Sequence, residues 1–252
     1  MEVNLNADLG EEMGNDSAML SIISSANIAC GFHAGNEAVM DQTIKSAIKK
    51  KVSIGAHPSF KDKEGFGRRD IPHTNKEIEF IVTKQLEILE RIAQQNMVTV
   101  THVKPHGALN NMASKDEGMA LSITKATKEF NKELIFLATA GSKLTSASKK
   151  TGIRVAEEIF ADRNYDDDGN LISRKNKNAL ITNPEIATER IIRMLENKSI
   201  YSINGKKIPC EINSICIHGD TKNSILIAKK IKTKLIESKF LIKQLPELRI
   251  FQ

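Results

Sequence analysis

Groups able to move protons or hold ions recur in short segments that also carry glycine or proline. They are Asn6, Asp8 and Glu11 in NADLGE, His33 in CGFHAG, His57 in GAHPSF, Lys104 and His106 in HVKPHG, Asp162 and Arg163 in FADRNY, and His218 and Asp220 in CIHGD. Carboxylates and imidazoles in one pocket could pass protons as general acids and bases. A lysine among them could stabilise negative charge as it develops. Alternatively, Asp8, His33, His57 and His218 could form an Asp/His ligand set for Zn²⁺ in a metal-dependent amide or ester hydrolase, although no HxxxH or HExxH pattern is present. The run Gly65-Phe66-Gly67-Arg68-Arg69 adds two forked donors suited to a carboxylate or phosphate, or a surface pair bound to Asp62 or Asp70. Asp162 and Arg163 read equally as a catalytic acid with its neighbour and as a structural ion pair.

These residues are far apart in sequence, so their convergence depends on the elements that carry them. Short apolar or β-branched runs at 3–9, 27–32, 52–56, 98–103, 134–138, 155–160 and 214–217 read as strands. Between them, apolar positions at helical spacing predict helices over 37–50, 75–96, 115–130, 184–196 and 223–238. Strand–helix alternation of this kind builds a parallel sheet. No GxGxxG follows the first strand, so a closed (β/α) barrel is preferred to an open dinucleotide-binding sheet. In such barrels chemistry collects at the C-terminal ends of the strands, where His33, His57, His106 and His218 fall. Gathering so many ionisable groups at one mouth costs several kcal/mol per unpaired ion, which favours a functional cluster. Strand alternation turns Cys30 toward the helices and Cys216 toward the interior beside His218, where it is not expected to act as a nucleophile. Asn204-Gly205, within 200–208, predicts a small hairpin insertion before the last strand. Nothing divides the chain, so residues 1–252 are expected to form one domain.

Composition excludes several classes. Hydrophobic residues make up 40% and charged residues 27% of 252, enough apolar surface for a folded core. No apolar run reaches the length of a membrane span, and the first residues lack the basic and apolar regions of a signal peptide, so a cytoplasmic protein is expected. The net charge of +6 comes from lysines interleaved with Glu and Ile on helix faces. With 4% aromatics and no Trp, that pattern argues against nucleic-acid binding. Three cysteines without CxxC spacing suit a reducing compartment.

Taken in order, NADLGE (6–11), SANIACGFHAG (25–35), GAHPSF (55–60), GFGRR (65–69), HVKPHGAL (102–109), FADRNY (160–165) and CIHGD (216–220) resemble the LamB/YcsF family, the family of 5-oxoprolinase A subunits. The resemblance runs from residue 4 to about 220. It implies a distorted seven-stranded parallel (β/α) barrel similar to the glycoside hydrolase/deacetylase barrels. It also implies ATP-dependent opening of 5-oxoproline (pyroglutamate) to L-glutamate, with ATP and Mg²⁺, beside partner subunits B and C. A chain that only presents substrate to its partners is the non-catalytic alternative. The sequence departs from the family at Asn110, usually Tyr, at Asn36-Glu37, usually Asp-Pro, and at Glu12, usually Gly.

The implied lactam gives each residue a role. Asp8, His57 or His106 would be the general base, Lys104 would face phosphate or oxyanion, and His218 would protonate the departing nitrogen. Arg68 or Arg69 would hold the substrate carboxylate, and Asn27, His33, Asp162, Arg163 and Asp220 would complete the binding surface. No P-loop pattern locates ATP: Ala140–Thr145 lacks the first glycine.

Overall fold

The computed structural model describes residues 1–220 and 222–252. Among these, the strands are β1 (Glu2–Leu9), β2 (Ser25–Ala29), β3 (Ser53–His57), β4 (His102–Val103), β5 (Ile135–Thr139), β6 (Arg154–Phe160), β7 (Ser199–Tyr201), β8 (Lys207–Pro209), β9 (Ser214–Cys216) and β10 (Leu241–Lys243). The α-helices are α1 (Asp16–Leu20), α2 (Glu37–Lys50), α3 (Asn75–Gln95), α4 (Gly107–Ala113), α5 (Glu117–Phe130), α6 (Lys143–Thr151), α7 (Pro184–Asn197) and α8 (Ser224–Glu237). Strands β1–β6 and β9 pair in parallel, in the order β1-β2-β3-β4-β5-β6-β9, and β9 pairs back onto β1. This is the expected closed seven-stranded barrel. Its distortion shows at β4, which pairs through only two residues on each side.

Local sequence sets the helix ends. Asn36 caps α2 through Val39 N–H, and Lys51 closes it in the left-handed region at φ 55°. Thr74 and Glu77 form a reciprocal capping box on α3, and Pro184 opens α7 behind the Asn183 cap. The apolar faces of α2, α3, α5, α7 and α8 pack on the outer face of the barrel, with Val3, Leu5, Ala7 and Leu9 of β1 in the same cluster. Tyr201 to Lys207 form the expected hairpin as β7 pairs antiparallel with β8, and Gly205 takes the φ of +84° that its turn requires.

Two features lay outside the sequence reading. The strand β10 adds to the N-terminal end of β1, and the chain beyond it drives Leu245 and Leu248 against Ile135, Leu137 and Ala156, filling the barrel floor with apolar side chains. Above that floor the interior is polar. Asn4, Asn6 and Asp8 of β1 are buried, as are Ser25 and Asn27 of β2, Ser53 and His57 of β3, His102, and Glu158. Among the described residues, no helix is long and apolar enough to cross a membrane.

Candidate active site

The polar interior is a hydrogen-bonded stack that leads up to the strand ends. Asn4 Nδ2 donates to Ser25 Oγ at 2.7 Å, and Ser214 Oγ donates to Asn4 Oδ1 at 2.7 Å. One layer up, Asn6 Nδ2 donates to Glu158 Oε1 at 2.7 Å, and Asn27 Nδ2 donates to both Asn6 Oδ1 and Asp8 Oδ1 at 2.8 Å. Buried polar groups are tolerable only when satisfied like this, and a satisfied network fixes its members rigidly. Gly55 makes room for it: a Cβ there would enter the His102 ring.

Lys104 stands at the top of the stack, 3% exposed. Its Nζ is 2.8 Å from Asp8 Oδ1, 2.8 Å from Cys216 Sγ and 3.3 Å from Glu158 Oε2. Burial alone would strip its proton, but Asp8, Cys216 and Glu158 outweigh burial and raise its pKa well above the usual lysine value. Burial would likewise raise Asp8, yet His57 and Lys104 hold its carboxyl well below the usual range. Asp8 Oδ2 therefore presents a carboxylate toward His57 Nε2 at 3.3 Å and His218 Nε2 at 3.9 Å. His218 is oriented from behind, its Nδ1 being 2.9 and 3.0 Å from the two Asp162 oxygens. Burial pushes the Cys216 thiol well up. Losing a covalent nucleophile costs on the order of a millionfold in kcat, whereas Cys216→Ser should retain turnover within about tenfold, its hydroxyl replacing the thiol as an acceptor for Lys104.

A second group lies beside Asp8. His33 and His106 stack with ring centroids 3.8 Å apart and planes 8° from parallel, and the His57 ring meets them edge-on. Glu11 Oε1 lies 3.0 Å from His33 Nε2 and 3.4 Å from His106 Nδ1. The GFGRR loop lies against this stack. Gly67 has φ +63°, and a Cβ on it would lie 2.8 Å from His106 Cδ2 and 2.9 Å from His33 Cβ, so only glycine fits. Burial lowers the pKa of both His33 and His106 well below the usual value, with His57 adding to it.

A cavity of about 730 Å³ opens over Asp8, Lys104 and His218, a size suited to a small molecule. Its walls are positive: Arg68, Arg163, Arg174 and Lys175 line it. Arg68 Nη2 donates to Asp220 at 2.6 Å, and Arg174 joins the same carboxylate at 3.1 Å. Arg163 is 4% exposed; Nη2 donates to the Ile172 carbonyl at 2.6 Å, and Nε has no partner among the described residues. Burial, with Arg174 nearby, pulls Arg163 down to about 10.

The structure thus brings Asp8, His57, Lys104, His106 and His218 to one mouth, with Arg68, Arg163 and Asp220 around it. Asn27 lies just beneath, as the support of Asp8. Asp162 and Arg163 do not pair as neighbours: Asp162 turns to His218 and Arg163 to Ile172. Arg69 is bound through Nε and Nη2 to Asp62, the expected surface pairing, and also lines the cavity beside Arg68. The four suggested metal ligands fall into two groups that touch where Asp8 meets His57: His33 and His57 join Glu11 and His106, while Asp8 and His218 group with Cys216. The loop at 140–145 does not form a phosphate cradle, because Gly141 N–H is directed at the Glu157 carboxylate, 3.1 Å away. Glu158, Ser59 and Arg174 were missed. Glu158 shares strand parity with Phe160 and Ala156, which would have placed it inside the barrel.

Seven parallel strands carrying a buried Asp–Lys–His centre at their C-terminal ends define a closed (β/α)-barrel protein. A T48 deacetylase solved with substrate shares that fold at TM-score 0.51, with 14% identity over 97% of this chain and 88% of its own. The chain belongs to the LamB/YcsF family, whose model matches residues 3–249. It is 46% identical to the 5-oxoprolinase A subunit of Clostridium beijerinckii over 94% of each chain, and 45% identical to that of Rhodopseudomonas palustris over 93% of this chain and 95% of the relative. The crystal structure of the lactam utilization protein from Thermus thermophilus superposes at TM-score 0.88, with 32% identity over 96% of this chain and 99% of that one.

Proposed function

We propose that this chain is the A component of a cytoplasmic 5-oxoprolinase, opening 5-oxoproline to L-glutamate with ATP and Mg²⁺ beside partner subunits B and C. The observation that carries the reading is the cavity itself: an ionised carboxylate, Asp8, faces a small chamber walled by arginines, in a chain similar along nearly its whole length to 5-oxoprolinase A subunits. The substrate is a five-membered lactam with one carboxylate. Its amide resists water and the opened product recloses, so phosphorylating the amide oxygen supplies the electrophile and the driving force. One water then adds to the ring carbon and the C–N bond breaks. A second water is consumed as the phosphoryl group ends as inorganic phosphate.

The side chains distribute this work. Asp8 Oδ2 takes the proton of the attacking water. Lys104 keeps Asp8 ionised and supplies positive charge where the phosphate-bearing oxygen sits. His218, held by Asp162, gives a proton to the departing nitrogen. Arg163, through its unpartnered Nε, and Arg68 receive the substrate carboxylate. Phosphorylation is assigned to the partner subunits, since the Gly141 N–H of the 140–145 loop is taken by the Glu157 carboxylate and the Ala140, Ser142 and Lys143 N–H groups by backbone carbonyls.

The test measures 5-oxoproline loss and ATP hydrolysis with the three subunits together and with each omitted in turn. Coupled turnover is expected only with all three, and turnover by partners B and C without this chain would refute the assignment. Arg163→Met should raise KM for 5-oxoproline roughly 10–100-fold with a smaller change in kcat, because a hydrogen bond to a charged group contributes about 1.5–3 kcal/mol. Steady-state kinetics of the reconstituted complex would show the split.

A further inference from the structure

We propose that Glu11, His33, His57 and His106 form a binding site for one divalent late first-row metal ion, of the Zn²⁺ or Co²⁺ kind. This inference rests on donor geometry alone and holds whether or not the lactam is the substrate. His57 Nδ1 lies 2.7 Å from the Lys104 carbonyl, and His106 Nε2 lies 2.9 Å from the Phe66 carbonyl. A carbonyl only accepts, so both nitrogens carry the ring proton. With the rings neutral, as they must be to bind a metal, the inner nitrogens, His57 Nε2 and His106 Nδ1, are lone-pair atoms, yet they face each other at 2.9 Å. His33 repeats the arrangement. The Ser59 hydroxyl donates to the Phe60 carbonyl and accepts from His33 Nδ1 at 2.8 Å, which leaves His33 Nε2 as a lone pair 3.0 Å from Glu11 Oε1.

Four lone-pair atoms therefore converge, and all lie within 4.8 Å of one another. The individual separations of 2.9, 3.0, 3.4 and 3.9 Å bracket the edge of about 3.3 Å expected for a tetrahedron with metal–ligand bonds of about 2.0–2.1 Å. Outer ring nitrogens donating to backbone carbonyls or a hydroxyl are the usual support of metal-bound histidines. Three imidazoles and one carboxylate suit a borderline cation better than Mg²⁺, which prefers oxygen ligands and retained water. The neighbouring group of Asp8, Cys216 and His218 has no such need, because Lys104 Nζ already stands between Asp8 and Cys216.

The experiment strips the full-length chain with a chelator and titrates it with Co²⁺ under anaerobic conditions. Bound metal is read by equilibrium dialysis with elemental analysis, by visible ligand-field absorption, and by the thermal midpoint. One Co²⁺ per chain, with tetrahedral or five-coordinate bands and a raised midpoint, is expected; Mg²⁺ at equal concentration should do neither. His33→Ala and Glu11→Gln should lose the bands. Ser59→Ala, which removes only the support behind His33, should weaken binding about 10–100-fold. His73→Ala, outside the cluster, should leave binding unchanged. A folded wild-type chain that takes up no stoichiometric Co²⁺ or Zn²⁺ overturns the proposal, because a proton on His57 and the other tautomer of His33 would then satisfy the same atoms. Binding that survives in both His33→Ala and Glu11→Gln overturns it equally. None of the three readouts uses 5-oxoproline, so a failed ring-opening assay would leave these results standing.

Discussion

Lys104→Met is expected to abolish coupled turnover and to lower folding stability by about 3–5 kcal/mol, the cost of removing one member of a buried ionic group. The methionine fills a similar volume, so the loss would come from charge and not from a cavity. Without the ammonium, the Asp8 and Glu158 carboxylates that share it face the same buried space with no cation between them. Cys216 Sγ loses its donor as well. Chemical denaturation of the isolated chain would give the stability change from the midpoint at constant slope. A stepwise rescue separates this explanation from general damage. Adding Glu158→Gln to Lys104→Met removes one of the stranded charges, and the double variant should be more stable than the sum of the single changes by about 1–3 kcal/mol. Turnover should not return, because the positive charge beside the reacting oxygen is still missing. Strict additivity would show that the lysine is held by packing and not by its acids.

The barrel was legible because parallel strands write their ends in the sequence. An apolar or β-branched run that stops in polar residues with glycine or proline is a strand reaching the loop face, and that pattern located His57, Lys104 and His218. Helix α2 was legible to the residue, since Asn36 caps it and its apolar stripe is regular. Helix α6 was not: KLTSASKKT buries Thr145 and Ser148 beside Leu144 and Ala147, so its inner face carries hydroxyls instead of an apolar stripe. Helix α4 was hidden because HVKPHGAL reads as a strand end running into a loop. Asn4, Asn6 and Asp8 share one face of β1 by alternation, a sign of the polar interior that the sequence reading did not take up. The pairing of charges was beyond reach. Which of two adjacent arginines turns to Asp62 and which to Asp220 depends on how the loop folds across the barrel, and Asp220 is 152 residues from Arg68. Glu11 was visible as a polar strand-end residue, but its joining of His33 and His106 follows from the turn beyond it, where Glu12 takes φ +60°.

Asp8→Asn separates the chemistry from the architecture at nearly constant shape. The amide can still accept from Lys104 and from Asn27 through Oδ1, so the top layer of the stack stays hydrogen-bonded. Lys104 keeps Glu158 as a counter-ion at 3.3 Å. The stability cost should accordingly be about 1–2 kcal/mol, well below that of Lys104→Met. What the amide cannot do is take a proton from water. If Asp8 is the general base, kcat of the reconstituted complex should fall roughly 10²–10⁴-fold while KM for 5-oxoproline changes little, since in the proposed arrangement Arg163 and Arg68 would hold the carboxylate independently. The partner reaction gives an internal control. If phosphorylation belongs to the partner subunits, ATP hydrolysis should fall less than glutamate formation, leaving the two uncoupled. An Asp8→Asn complex that opens the ring at the wild-type rate would remove Asp8 from the chemistry. It would leave the Asp8–Lys104 pair as the structural keystone of a polar barrel, with proton transfer moved to His218 and its Asp162 partner.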